Sequence, residues 1–244
     1  MPKNNKFIFP NWNVPPNVHA MMTTRLGGFS KSPFDSFNLA THVGDNLKTV
    51  LENRRWLKTE LFLPAEPFWL EQIHSDIVIE AYADFILPKA DASYSNQKEV
   101  VCVVMTADCL PVLMCSKDGT QIAAIHAGWR GLANGIISNT VAALKTTDLT
   151  VWLGAAIGVE CFEVGDDVRD IFLKKSADYS AAFKENGSQW LADIYQLARI
   201  ELAQLGITAV FGGEFCTVTD AENFYSYRRD KQTGRMATLI WRDA

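Results

Sequence analysis

Residues 100–126, VVCVVMTADCLPVLMCSKDGTQIAAIH, decide the fold. Three apolar runs rich in β-branched residues, VVCVVM (100–105), LPVLMC (110–115) and QIAAIH (121–126), read as strands because each is short and bounded by turn-forming residues. Between the last two lies Lys117-Asp118-Gly119-Thr120, and Asp-Gly supplies the positive φ angles of a type I′ hairpin turn. With Asp118 and Gly119 as the central turn residues, opposed positions sum to 237, so His126 faces Pro111. Opposed residues share a face of the sheet, and so do residues two apart. Cys109 and His126 are then diagonal neighbours at the open end of the hairpin, about 7–8 Å apart. That span lets a thiolate and an imidazole converge on one ion. A slip of one residue sends them to opposite faces.

Toward the C-terminus, Ile136, Ile137, Val141 and Leu144 recur at the spacing of a helix over 132–144. A strand at 150–157, helices at about 165–177 and 189–205, a strand at 207–211 and a last strand at 236–241 (MATLIW) follow. Toward the N-terminus, Leu47, Val50, Leu51, Arg54 and Leu57 predict a helix over 46–63. Residues 22–47 are rich in Gly, Ser, Asn and Asp and read as an ordered, loop-rich segment. Helices and strands are mixed with a strong hairpin component, which makes the class α+β rather than a purely parallel α/β sheet.

The chain has 244 residues, enough for a sizeable core, and no repeat or Gly/Ser linker divides it. It reads as one domain, 1–244. A net charge of −5 argues against a nucleic-acid binder that works by broad phosphate neutralisation. No stretch approaches ~18 uninterrupted apolar residues, so no membrane span is expected. The N-terminal residues, broken by prolines, lack the apolar run of a signal sequence. Five cysteines, an odd number scattered through apolar segments, then read as reduced thiols in a cytoplasmic protein.

His74, in Glu71-Gln72-Ile73-His74-Ser75-Asp76, is a third candidate ligand beside Cys109 and His126. Three protein ligands with one open position is the arrangement of catalytic zinc, whereas structural zinc is normally closed by four. The residues alone leave two other readings open. A Cys–His pair on one face also suits nucleophilic catalysis, and both histidines could be hydrogen-bonded core residues.

Longer motifs surround these positions. They are QIH (72–74), ADCLPV (107–112), HAGWRG (126–131), TRLGGFS (24–30), SFNLATHVGD (36–45), CFEVG (161–165), and SYRRD with TGRMATLIW (226–241). In this order, from about Thr24 to Trp241, they closely resemble the YfiH-like family, also called the laccase-domain or polyphenol oxidase family. The resemblance implies an α+β sandwich with two packed β layers and outer helices, similar to the catalytic domain of cytotoxic necrotizing factor toxins. It implies zinc on His74, Cys109 and His126. It also implies phosphorolysis of adenosine, inosine and methylthioadenosine to base and ribose 1-phosphate, with adenosine deamination as an added activity. The chain departs from the family pattern GPxxGPCCYEVG at Val159 and Glu160, which stand where many relatives carry proline and cysteine. That departure bears on loop shape and leaves the ligands untouched.

Phosphorolysis needs an anion site, and arginine serves it through bidentate hydrogen bonding. Arg25 in the glycine-rich loop and Arg130 after the ligand histidine are the preferred pair, with Arg228 and Arg229 as further candidates. Asp108 is expected either to orient an imidazole or water or to cap the turn before the strand. His42 is a candidate for substrate contact or proton transfer, its free pKa lying near neutrality.

Several rival functions lack their motifs. The H-x-E with P-C-x-x-C of cytidine deaminases is absent, as are a G-x-S-x-G elbow and a Walker A loop. Four histidines (His19, His42, His74, His126) are too few for a multicopper cluster. A single copper on the His₂Cys set, giving a polyphenol oxidoreductase, is an alternative reading, since Cu²⁺ generally outcompetes Zn²⁺ for a given ligand set. Two further classes stand beside the zinc enzyme: a Cys–His thiol hydrolase or deamidase, and a non-enzymatic binding protein with a structural metal.

Overall fold

Strand pairing in the computed structural model, which describes residues 6–82 and 87–243, begins with the hairpin. Pro111 pairs with His126 and Val112 with Ile125, the register that sums to 237. The turn itself differs from the type I′ expectation. The loop has four residues, 117–120, closed by the Ser116 N–H donating to the Gln121 carbonyl, and only Gly119 takes a positive φ, 69°. Side chains close it instead: Ser116 Oγ accepts from the Thr120 and Gln121 N–H groups, and Asp118 accepts from Thr120 N–H at 3.0 Å. These bonds favour the wider loop while keeping the same strand pairing.

In chain order, β1 (Phe7–Ile8) and β2 (Val18–Thr23) lead through the loop-rich segment to α1 (Leu47–Glu60). Then come β3 (Val78–Glu80), β4 (Ala92–Ser95), β5 (Cys102–Thr106), β6 (Leu110–Ser116) and β7 (Ile122–Ala127). Helices α2 (Trp129–Asn134) and α3 (Ile136–Leu144) precede β8 (Leu149–Leu153) and β9 (Glu163–Val164). The remainder is α4 (Asp166–Lys175), β10 (Phe183–Asn186), β11 (Gln189–Ala192), α5 (Ile194–Gln204), β12 (Ala209–Gly212), α6 (Tyr227–Asp230) and β13 (Met236–Arg242).

Two elements depart from expectation. The helix expected over 132–144 starts earlier, at Trp129, and breaks at Gly135, whose φ of 91° serves as the C-cap of α2 and the N-cap of α3. The helix expected over 189–205 starts only at Ile194, where Asp193 caps it by accepting from Gln196 N–H. Its first residues are instead β11, paired with β10 and β9. Helix α1 begins where Asn46 accepts from Lys48 and Thr49 N–H, and it buries Val50, Asn53 and Leu57.

The strands form a six-stranded sheet in the order β12-β8-β6-β7-β4-β3, a four-stranded sheet β1-β2-β13-β5 and a small sheet β10-β11-β9. The large sheet is parallel at both edges and antiparallel within; the four-stranded sheet is antiparallel throughout. Alternation along β6 and β7 assigns the layers. Leu113, Cys115, Ile122 and Ala124 face inward, packing with Cys102, Val104 and Ile240 of the four-stranded sheet. Val112, Met114, Ala123 and Ile125 face outward, under α3, α4 and α5. Helix α1 covers the far face of the four-stranded sheet through Leu57 against Val103 and Leu239. Both sheets are therefore covered on two faces, which is why their strands read as unbroken apolar runs. The result is an α+β sandwich with outer helices. Of the span 1–244 expected as one domain, residues 1–5, 83–86 and 244 lie outside the described residues. No helix among the described residues is long and apolar enough to cross a membrane.

Candidate metal centre

Parity along the hairpin carries Cys109 and His126 to the inward face, at the mouth of the gap between the sheets. Cys109 immediately precedes β6, and His126 lies one residue from the end of β7. His74 arrives on a separate loop, just after a bridge between Glu71 and Lys89. Its backbone has φ of 60°, a left-handed conformation that turns the side chain out of the loop's path. The adjacent Gln72 pins this loop to the end of β5, donating to the Met105 carbonyl at 2.8 Å and accepting from the Met105 N–H at 2.7 Å. His74 Nε2 then lies 3.9 Å from Cys109 Sγ, and the two imidazoles meet edge to face at 4.7 Å. One ligand atom from each of His74, Cys109 and His126 falls within 4.8 Å of the others.

Asp91 organises this group. Fully buried, it sits 2.7 Å from His126 Nδ1 through Oδ1. The same carboxylate accepts from the N–H groups of His74 (3.0 Å), Ile73 (3.2 Å) and Ser75 (2.6 Å), and from Ser75 Oγ. One side chain thus fixes the orientation of one ligand ring and the backbone of another. With Nδ1 engaged, His126 is left with Nε2 as its ligand nitrogen, the carboxylate–histidine–metal arrangement.

The electrostatics follow. Burial pushes the Asp91 carboxyl up, but hydrogen bonds from His126 and Ser75 outweigh it and hold the group at about 2. Burial likewise opposes ionisation of Cys109, yet His126 and His74 bring its thiol down to about 6. His126 is lowered by burial and raised more by Cys109 and Asp91, to about 9. Both shifts favour a thiolate on Cys109, the form that binds a metal. Gly128 keeps the space open: a Cβ there would lie 3.0 Å from Cys109 Sγ and 3.3 Å from His74 Cδ2. The donor set fits a divalent ion. Tetrahedral bonds of about 2.3 Å to sulfur and 2.0–2.1 Å to nitrogen place ligands roughly 3.5 Å apart, within small side-chain adjustments of the observed spacing.

The cluster opens into a cavity of about 490 Å³. Among the expected site residues, His42, Arg130, Arg228 and Asp108 line it with the three ligands. Arg130 is exposed and stacks 4.4 Å over the Trp129 ring. Arg228 bonds the carbonyls of Cys161 and Glu163 at 3.2 and 3.4 Å. His42 is lowered from its usual pKa by burial and by the charges of Arg235 and Arg54. Asp108 does not touch an imidazole. Its oxygens accept from Thr217 Oγ1 and from the Arg228 N–H, both at 2.6 Å, so it braces the turn before β6. The orienting role expected of it falls to Asp91.

Arg25 is not brought to the cavity. It bonds the Asp35 and Ala221 carbonyls and the Asp35 carboxylate, and lies 4.9 Å over the Tyr225 ring. Arg229 is likewise held by the carbonyls of Thr217, Val218 and Phe224. In their place the structure adds Lys231 and Arg235 to the lining. Thr106 also lines it, with a buried hydroxyl that has no hydrogen-bond partner among the described residues. Sequence reading missed Asp91 and Arg235. An acid within the small-residue run Ala90-Asp91-Ala92-Ser93 signals a buried, partnered carboxylate, and Arg235 stands inside the quoted TGRMATLIW motif.

Comparison with known proteins gives a consistent result. A family model described as multi-copper polyphenol oxidoreductase laccase matches residues 19–243. Purine nucleoside phosphorylase YfiH of Escherichia coli is 51% identical over 239 residues, covering 97% of this chain and 98% of that protein. A purine nucleoside phosphorylase of Pseudomonas aeruginosa is 50% identical over 97% of this chain and 98% of its own. Among solved structures, a Neisseria meningitidis protein superposes with a TM-score of 0.94 at 46% identity, covering 98% of this chain and all of that one. YlmD from Geobacillus stearothermophilus superposes with a TM-score of 0.87 at 30% identity, over 94% of this chain and 93% of its own.

Proposed function

This chain belongs to the YfiH-like, laccase-domain family, and from that premise we propose that it is a zinc-dependent purine nucleoside phosphorylase of the cytoplasm. Its substrates are adenosine, inosine and methylthioadenosine with inorganic phosphate, and adenosine deamination is a second activity of the same site. One observation carries the reading: His74, Cys109 and His126 converge, held by Asp91, at a cavity also lined by Arg130, Arg228, Lys231 and Arg235. The relatives named as purine nucleoside phosphorylases match nearly the whole chain, and the cavity volume is of the order that small-molecule sites require.

When bound, the ion supplies Lewis acidity. The remaining work falls to the chain. Arg228 and Arg235 balance the charge of phosphate, and their planar donors fix its direction toward the sugar. Ile157 and Phe162 offer apolar surface to a purine ring. The unpartnered Thr106 hydroxyl is suited to a sugar hydroxyl, and a pocket that pairs such a group rejects analogues lacking it.

Purified, zinc-loaded protein should release hypoxanthine from inosine only when phosphate is present. Cys109→Ala and His74→Ala should lose both that activity and stoichiometric zinc. Release without phosphate dependence, or none from contaminant-free protein, overturns the phosphorylase reading. Stoichiometric copper recovered from cells would replace zinc. A second reading, a thiol hydrolase, draws on the lowered Cys109 pKa; full activity in chelated protein, abolished by alkylation, would favour it. The family description mentions several coppers, yet the described residues hold a single group of metal-ligating type, and His19 is paired with Asp243 at 2.7 Å.

A further inference from the structure

Cys161 and Cys216 stand apart from the metal ligands, in a second recess bounded by Gly158, Asp193 and Thr219. Both are free, partly exposed thiols that line the same recess. Gly158 lets Cys216 approach the turn that carries Cys161, since a Cβ there would lie 3.0 Å from Cys216 Sγ. The Cys216 sulfur accepts from the Gly158 N–H at 3.2 Å, and Thr219 lines the same recess. A backbone donor so placed stabilises a thiolate.

We propose that Cys161 and Cys216 form an oxidisable dithiol, a peroxide-sensitive modification site beside the central cavity. Cys216 is the attacking sulfur. Its thiolate takes one oxygen of hydrogen peroxide, an S–O bond forms as the O–O bond breaks, and hydroxide leaves. The Cys161 thiol gives up its proton to that hydroxide and attacks the Cys216 sulfenic sulfur. The S–S bond forms, the S–O bond breaks, and the second oxygen leaves as water after taking a proton from solvent. Two thiols lose two electrons and peroxide becomes two waters.

The assignment of roles follows from the surroundings. Burial opposes ionisation of Cys216, but the donors from Thr219, Gly158 and Val218 lower its pKa overall. Cys161 is raised by burial and by Cys216, which suits a resolving thiol rather than an attacking one. The bridge would join the turn at Val159–Cys161 to the loop around Cys216. The former segment leads straight into Phe162 and carries the carbonyl held by Arg228, both on the cavity wall.

The test treats full-length, zinc-loaded protein with hydrogen peroxide, alkylates remaining thiols after denaturation, and maps peptides by mass. A Cys161–Cys216 cross-linked peptide, reversed by dithiothreitol, is expected. Cys102 and Cys115, pushed up to about 12 by burial, should stay alkylatable. In Cys161→Ser, dimedone should trap a sulfenic acid at Cys216. Cys161 in Cys216→Ser should react roughly tenfold more slowly. The proposal is overturned if both cysteines stay free while peroxide is consumed, if dimedone labels Cys161 first, or if the two variants react equally fast.

Discussion

Through one buried carboxylate Asp91 accepts from five donors, and its charge reaches His126 directly and His74 through the backbone. Replacing it with asparagine leaves the His126 ring without its anionic partner and sets an amide against N–H groups. Zinc affinity of Asp91→Asn should fall about 10–100-fold, measured by competition with a chelating dye. The folded pKa of about 2 lies below the ordinary 3.8, so the stabilisation is present above about pH 4 and is lost as pH falls through 2. In metal-free protein it amounts to about 2 kcal/mol, so the stability lost between pH 7 and pH 2.5 should be smaller in Asp91→Asn by most of that amount, as denaturant melts at the two pH values would show. Cys109 yields a second expectation. Iodoacetamide labelling of the metal-free protein should rise with pH about a midpoint near 6, rather than the usual 9. A midpoint near 9 would mean that no thiolate–imidazolium pair exists. At this scale the sequence shows ligands better than their supports. Hairpin parity brings Cys109 and His126 together and the family resemblance adds His74, whereas the small residues around Asp91 signal its burial without naming partners that lie across the fold.

Strand register was readable because Asp118-Gly119 places the turn, and the turn sets which residues of β6 and β7 oppose. The turn type was not, since side-chain bonds from Ser116 and Asp118 close a four-residue loop on the same pairing. Helix interruption at Gly135 escaped the periodic pattern for a related reason. Ile136, Ile137, Val141 and Leu144 keep their spacing whether or not the preceding turn belongs to the same helix. Gly135 has a φ of 91°, where a Cβ adds strain but meets nothing closer than Ser138 Cβ at 4.0 Å. Gly135→Ala should therefore cost about 1–2 kcal/mol from backbone strain alone, with zinc content unchanged. A neutral melting curve would mean the chain can bend there without glycine. Strand β11, expected as helix, shows the other limit: Gln189–Ala192 owes its extended form to pairing partners distant in sequence.

For the whole molecule, the centre gathers segments around residues 72–75, 91, 109 and 126–128, so a bound ion ties together both ends of the hairpin region. An ion held about 1,000-fold above its Kd adds roughly 4 kcal/mol. At 2–4 °C per kcal/mol for a chain of this size, chelation should lower Tm by about 10 °C. An unchanged Tm in calorimetry, with zinc demonstrably removed, would show that the fold is indifferent to its metal. The order of strands has another consequence, for biosynthesis. β13 lies between β2 and β5, although it follows both of them far along the chain. While a ribosome still holds residues 236–242, β2 and β5 have no neighbour in common and the inner face of the hairpin has no opposing layer. Until residues 236–242 emerge, these apolar strands stay uncovered, and chaperone contact should persist to that point and then fall.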